Sequence, residues 1–183
     1  MLYCNIPYAP KEHNQNLGWA YNNFMRLLCD EDWACFLDHD AMFTTSTWYK
    51  TIENAIKDTE YGLIYCMTNR INPTVQKFQN VDEDNHDIKY HRKVGKKSEE
   101  KYGHEVIPYD MSTYLPSGVC IIISQQAWKK TPYGFKDGFL SVDNDIARQC
   151  REVGVKVGLM RGLYTYHWYR GDGDKSHITQ FKK

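Results

Sequence analysis

Trp33-Ala34-Cys35-Phe36-Leu37-Asp38-His39-Asp40 decides the fold of this 183-residue chain. Five apolar residues run without a break and end on two carboxylates one residue apart. An apolar run of that length, bounded by polar turns, is the pattern of a strand buried on both faces. Such strands lie in sheets covered by helices, and ligands bind in the crevice beyond their carboxyl ends. Asp38 and Asp40 are therefore expected at the rim of such a crevice, where a carboxylate pair can hold a hard divalent ion. A plain acidic surface turn is the alternative, because Asp-x-Asp also recurs by chance.

Upstream of this strand, Tyr3 to Ile6 predicts a short strand stopped by Pro7 and Pro10. Asn16 is placed to cap a helix carrying Leu17, Ala20, Tyr21, Phe24, Leu27 and Leu28 at helical spacing. Downstream, Thr45 or Ser46 can cap a second helix with Trp48, Ile52, Ala55 and Ile56 on one face, and Tyr61 to Met67 reads as a strand. The stretch from about 69 to 104 is polar and dense in charge, and is expected to be a long functional loop or partly ordered excursion. Val119-Cys120-Ile121-Ile122-Ile123 predicts a core strand, Ser124 to Trp128 a short helix, and Asp143 to Val153 a helix ending at Gly154. Val155 to Met160 and Leu163 to Trp168 are two further strand candidates, followed by a polar, glycine-punctuated tail from about 171. Alternating strands and helices predict one α/β domain over 1–183, three layers around a central sheet.

Composition narrows the function classes. Basic and acidic side chains number 23 each and cancel, so a non-specific polyanion binder is not the default. No apolar run is long enough for a membrane-spanning helix, and the first residues lack the pattern of a signal peptide. The six cysteines are scattered without metal-ligand spacing, several inside apolar runs, which predicts buried free thiols and a cytoplasmic address. Aromatic residues make up 14% of the chain, suited to stacking sugars or bases and equally to filling a core.

Two more clusters carry chemistry. In Ser141-Val142-Asp143-Asn144-Asp145, at a helix start, the carboxylates either cap the helix or include a general base for an acceptor hydroxyl. In Tyr166-His167-Trp168-Tyr169-Arg170, the histidine is either structural or completes a metal site begun by carboxylates, and Arg170 can meet phosphate bidentately.

The order of these segments adds what none carries alone. Asn16-Leu17-Gly18-Trp19-Ala20-Tyr21-Asn22, Phe36-Leu37-Asp38-His39-Asp40, Pro116-Ser117-Gly118, Val142-Asp143-Asn144-Asp145 and His167 follow one another as in the GT-A glycosyltransferases, and the chain resembles their family-2-like members over about 14–68 and 114–170. The resemblance implies a Rossmann-related GT-A fold with a mixed sheet. It implies Mn²⁺ or Mg²⁺ held by Asp40 and His167 with Asp38 beside the nucleotide, and a general base at Asp143 with Asp145 as the other candidate. Asn16, Gly18, Asn22, His39 and Gly118 fall in its donor-binding segments, and Arg170 and Lys175 in a tail that closes over the diphosphate. Val142 stands where the family usually has glutamate, and only a short stretch precedes Asn16, as in a minimal version of the fold. The implied reaction moves a sugar, with inversion, from a nucleoside diphosphate sugar (a UDP-sugar favoured) to an acceptor hydroxyl. The acceptor would be a glycan or small molecule, with a modified nucleic acid kept open by the basic stretch 89–101, and the 69–104 stretch would shape its side of the site. A non-catalytic sugar- or nucleotide-binding module and a sugar nucleotidyltransferase are the rival readings.

Overall fold

The structure, a computed structural model, describes residues 1–168. Its strands are β1 (Leu2–Asn5), β2 (Trp33–Leu37), β3 (Ala41–Phe43), β4 (Tyr61–Thr68), β5 (Val106–Pro108), β6 (Cys120–Ser124) and β7 (Lys156–His167). Its α-helices are α1 (Leu17–Met25), α2 (Trp48–Ile56), α3 (Ile88–Tyr102), α4 (Gln125–Lys130) and α5 (Val142–Glu152). All seven strands join one sheet in the order β1-β2-β6-β4-β7-β3, with β5 added to β7. β1 with β2 and β4 with β7 are parallel, and the other pairings are antiparallel. The sheet is mixed and open, and helices cover both faces.

Period-two alternation makes the two cores. Leu63, Tyr65 and Met67 of β4, with Ile121 and Ile123 of β6, face a cluster closed by Tyr21 and Met25 of α1, Ala127 of α4 and Ile146, Ala147 and Cys150 of α5. Ile64 and Cys66 of β4, with Cys120 and Ile122 of β6, face the other way onto Ile52 and Ala55 of α2. Burial on both faces is what the unbroken apolar runs of β2, β4 and β6 require. All six cysteines are free thiols, and Cys35 Sγ lies 3.8 Å from Cys120 Sγ in the second core.

Three expectations need correction. The 69–104 stretch is not one long loop: it contains α3, fifteen residues long. The buried face of α3 is His91, Val94, Gly95 and Ser98, at helical spacing but with one aliphatic side chain, so hydrophobic periodicity does not reveal it. His91 Nδ1 meets the Tyr164 hydroxyl at 2.7 Å, its Nε2 meets the Asn85 carbonyl at 2.6 Å, and Ser98 Oγ donates to the Arg161 carbonyl at 2.6 Å. Specific polar partners replace the missing apolar stripe. The two C-terminal strand candidates are one strand, β7, whose pairing with β4 slips between Met160 and Tyr164. Arg161 and Gly162 break the apolar alternation at that bulge. Helix α2 starts one residue later than proposed: Thr47 occupies the cap position without a side-chain cap bond, and its hydroxyl donates to Glu99 Oε2 at 2.8 Å.

The turn Asp38-His39-Asp40 is all that separates β2 from β3, although β6, β4 and β7 lie between those strands in the sheet. Four residue steps from Leu37 to Ala41 reach about 14 Å when fully extended, roughly three strand spacings. The turn closes on itself through the Ala41 amide, which donates to the Asp38 carbonyl at 3.1 Å, so it cannot be stretched that far. The end of β7 past the bulge comes to the turn instead, pairing Ala41 with His167. The acidic turn thus lies at the sheet edge formed by the carboxyl ends of β2, β4 and β7 and the amino end of β6.

Candidate metal centre and its neighbours

Asp38, Asp40 and His167 each offer a ligand atom, and the three atoms lie within 4.8 Å of one another. The turn after β2 supplies the carboxylates and the last residue of β7 supplies the imidazole. The Asp38 amide donates to the Val119 carbonyl at 3.0 Å and the Trp168 amide to the Asp40 carbonyl at 2.9 Å, which fixes the turn at both ends.

His167 is held by backbone on one side. Its Nδ1 meets the Arg70 carbonyl at 2.9 Å. A carbonyl only accepts, so Nδ1 donates to it; Nε2 is turned to Asp40 Oδ1, 3.3 Å away, donating to that carboxylate in the protonated ring and presenting its lone pair in the neutral one. Fixing the tautomer through the other ring nitrogen is how ligating histidines are oriented. Burial pushes the Asp38 carboxyl up, with Asp40 and Asp143 adding to the effect and His167 opposing it, to about 7. Burial also works against the Asp40 carboxylate, but the hydrogen bond and charge of His167 and the nearby His39 outweigh it and hold Asp40 below its ordinary range. A half-buried carboxylate that resists ionisation beside one that is ionised is a site short of positive charge. Two carboxylates and an imidazole are donors suited to Mn²⁺ or Mg²⁺, and an ion held by three such donors would have further positions open. The residues present fit the ion.

Asp143 stands beside this cluster. Its Oδ2 accepts from the Gly118 amide at 2.7 Å and its Oδ1 from the Asn144 amide at 2.9 Å. Burial raises its pKa, against those two amide hydrogen bonds. The buried Tyr21 phenol, pushed up by burial, also feels the charges of Asp38 and Asp143, so the two carboxylates share one neighbourhood. Asp143 does not cap its helix in the usual way: Ser141 is the cap residue, at φ 60°, and gives no side-chain cap bond. Asp145 is committed elsewhere. It accepts from the Tyr133 hydroxyl at 3.0 and 3.2 Å and from Gln149 Nε2 at 2.7 Å.

Gly118 touches Asp143 directly. A Cβ there would stand 2.8 Å from the Asp143 Cβ and 3.0 Å from the Ile121 Cδ1. Gly118→Ala is expected to displace Asp143 and to cost about 1–3 kcal/mol, the usual penalty for overpacking, read by denaturant unfolding. An alanine variant of wild-type stability would show that the contact is loose.

Asn16, Gly18 and Asn22, also singled out from sequence, have structural partners. Asn16 caps α1, accepting from the Trp19 amide at 2.8 Å and the Gly138 amide at 2.9 Å, while its Nδ2 donates to Asp137 at 2.9 Å. A Cβ on Gly18 would fall 1.8 Å from the Lys136 carbonyl oxygen, so glycine is required for α1 to dock on that loop. Asn22 Nδ2 donates to the Phe135 carbonyl at 2.7 Å, and its Oδ1 accepts from the Phe135 amide and the Trp128 indole. All three hold the loop before α5. His39 is exposed, and Arg170, Lys175 and the tail from 171 lie outside the described residues.

Sequence reasoning missed Asn69, Arg70 and Gln76. Asn69 accepts from the His167 amide at 2.8 Å and donates to the His167 carbonyl at 3.2 Å. Gln76 accepts from the Ser117 amide at 2.8 Å and donates to the Ser117 carbonyl at 3.0 Å. Only Asn69, a carboxamide just after a core strand, could have been flagged from its side-chain type, since Arg70 acts through its backbone carbonyl and Gln76 ends the later turn Thr74–Gln76. Two cavities, of about 540 and 530 Å³, open elsewhere on the molecule, and neither is lined by Asp38, Asp40, Asp143 or His167. No protein-family model and no curated protein matches the chain.

Proposed function

We propose that the protein is a metal-dependent glycosyltransferase that uses a nucleoside diphosphate sugar, a UDP-sugar favoured, with Mn²⁺ or Mg²⁺. The observation that carries this is the convergence of Asp38, Asp40 and His167 at the carboxyl ends of the central strands, with Asp143 alongside. Asp40 and His167 would hold the ion and Asp38 would face it from the nucleotide side. The ion, when bound, neutralises charge developing on the diphosphate leaving group.

The chain's own residues divide the remaining work. Asp143, oriented by the Gly118 and Asn144 amides and made more basic by burial, takes the proton from the acceptor hydroxyl as it attacks with inversion. Of the two candidate bases Asp143 is preferred, because the Asp145 carboxylate is engaged by Tyr133 and Gln149. Arg170 and Lys175 would bind the diphosphate. The acceptor is a glycan or small molecule, and a modified nucleic acid is the less favoured class. Among the described residues no helix is long and apolar enough to cross a membrane. Free thiols suit the reducing cytoplasm, which we propose as the compartment.

The test is sugar transfer and donor hydrolysis with a panel of UDP- and GDP-sugars, with Mn²⁺ and after chelation. Turnover that disappears on chelation and returns with Mn²⁺ is expected. Donor binding without turnover would make the chain a binding module, and pyrophosphate release from a sugar phosphate and a nucleoside triphosphate would make it a nucleotidyltransferase.

A further inference from the structure

The segment 69–76 touches both halves of the candidate site. Its first residue, Asn69, and its last, Gln76, are each 1% exposed. Each carboxamide grips the backbone of one residue from both sides, its oxygen accepting from that residue's N–H and its nitrogen donating to that residue's carbonyl. Asn69 grips His167, the candidate metal ligand, and Gln76 grips Ser117, the residue before the glycine that holds Asp143. Arg70 lies in the same segment and its carbonyl accepts a hydrogen bond from His167 Nδ1 at 2.9 Å.

The segment is built to keep these grips in place. Thr68 and Lys77 form a parallel bridge, and the Phe78 amide donates to the Thr68 carbonyl at 3.0 Å, so the mouth of the loop is closed. Pro73 leads into a 3-10 turn over Thr74–Gln76, and Ile71 is buried beneath it. Gln76 Oε1 takes a second hydrogen bond from the Tyr109 hydroxyl at 3.1 Å, which locks its rotamer. A carboxamide matched to the N–H and carbonyl of one residue fixes that residue's position and orientation together and leaves no polar atom of the pair unmet.

We propose that Asn69 and Gln76 are positioning residues with separate duties, Asn69 for the ion through His167 and Gln76 for the base through Ser117 and Gly118. The assignment rests on the metal-dependent reading above. Mere structural support would make substitutions at either position lower both properties together, in step with stability. Separate duties split them. Asn69→Ala is expected to weaken Mn²⁺ binding by about tenfold or more, the scale of groups that orient metal ligands, with kcat near wild type once Mn²⁺ saturates. Gln76→Ala is expected to leave Mn²⁺ affinity within about twofold and to lower kcat by about tenfold, since small misplacements of a reacting group carry costs of this order.

Calorimetric Mn²⁺ titration, steady-state kinetics and amide NMR of the metal-free protein test this together. In the spectra Asn69→Ala should move His167 and leave Gly118 in place, and Gln76→Ala should do the reverse. Asn69→Ser and Gln76→Met serve if the alanine variants do not fold. In the wild type, fast exchange of the His167 or Ser117 amide would overturn the grips outright. Equal losses in both properties for both variants, or no loss in either, would overturn the separation of duties. A wild type that binds no Mn²⁺ sinks the metal reading and the Asn69 duty with it, and the Gly118 shift in Gln76→Ala then decides the other half.

Discussion

Asp143→Asn is expected to lower kcat about 10²- to 10⁴-fold, the range that a positioned general base contributes, while leaving Mn²⁺ binding and donor affinity close to wild type. An asparagine side-chain oxygen can still accept from the Gly118 amide, as Asp143 Oδ2 does at 2.7 Å, which keeps the loop in place, while the bond from the Asn144 amide to Oδ1 is lost at the helix start. What is lost is the group that accepts the acceptor's proton. Because burial raises the Asp143 pKa, the acidic limb of the wild-type rate profile should lie above the ordinary carboxylate range. Initial rates against acceptor concentration, with donor binding measured in parallel, check both points. A loss below about tenfold would move the base elsewhere.

The second large effect is on stability and has the opposite sign. Asp38 has a folded-state pKa of about 7 against an ordinary value of 3.8, with burial as the main cause. A raised acid contributes stability that is complete below the unfolded value and lost as pH climbs through the folded one. The difference, 7 minus 3.8, is about 3 pH units, or up to about 4 kcal/mol of penalty above neutrality in metal-free protein. Asp38→Asn removes the charge and keeps the shape. At about pH 8 the metal-free variant is expected to be more stable than wild type by a few kcal/mol, the gap closing toward about pH 4. Mn²⁺ should stabilise the wild type and narrow the gap from the other side, because an ion that binds only the folded state adds to its stability. Denaturant unfolding across pH with a chelator present is the measurement. A variant less stable than wild type at about pH 8 would show that Asp38 is already satisfied without an ion.

These two carboxylates also mark how far the sequence could be read. Trp33–Leu37 is apolar throughout, so its burial and the position of Asp38 and Asp40 followed from pattern alone. Asn16 was legible as a cap because capping is a local bond. Its second partner, the Gly138 amide, was not, since that residue is 122 positions away. The same reason hid Asn69 and Gln76, whose partners lie 98 and 41 positions distant. Helix α3 was hidden differently: its inward face is written in histidine, glycine and serine, and only Tyr164, Asn85 and Arg161 give those residues a reason to turn inward. In β7, one strand looked like two because Arg161 and Gly162 interrupt the alternation where the register slips. Local pattern yields the elements, while the contacts that aim side chains at a site are long-range.

The place of β7 has a consequence for how the molecule is made. It is the last strand in the described chain, yet it pairs with β4, β3 and β5, all synthesised before it. A chain growing from its amino end therefore carries three strands with open edges until Lys156–His167 has been translated and has left the ribosome. Unpaired edges of that kind invite pairing with other chains. No upstream segment can supply His167 or the Ala41–His167 pairing in its place. The pairings of β4, β3 and β5 with β7, and the meeting of the acidic turn with its histidine, all need that strand, so a nascent chain stopped short of β7 has none of them.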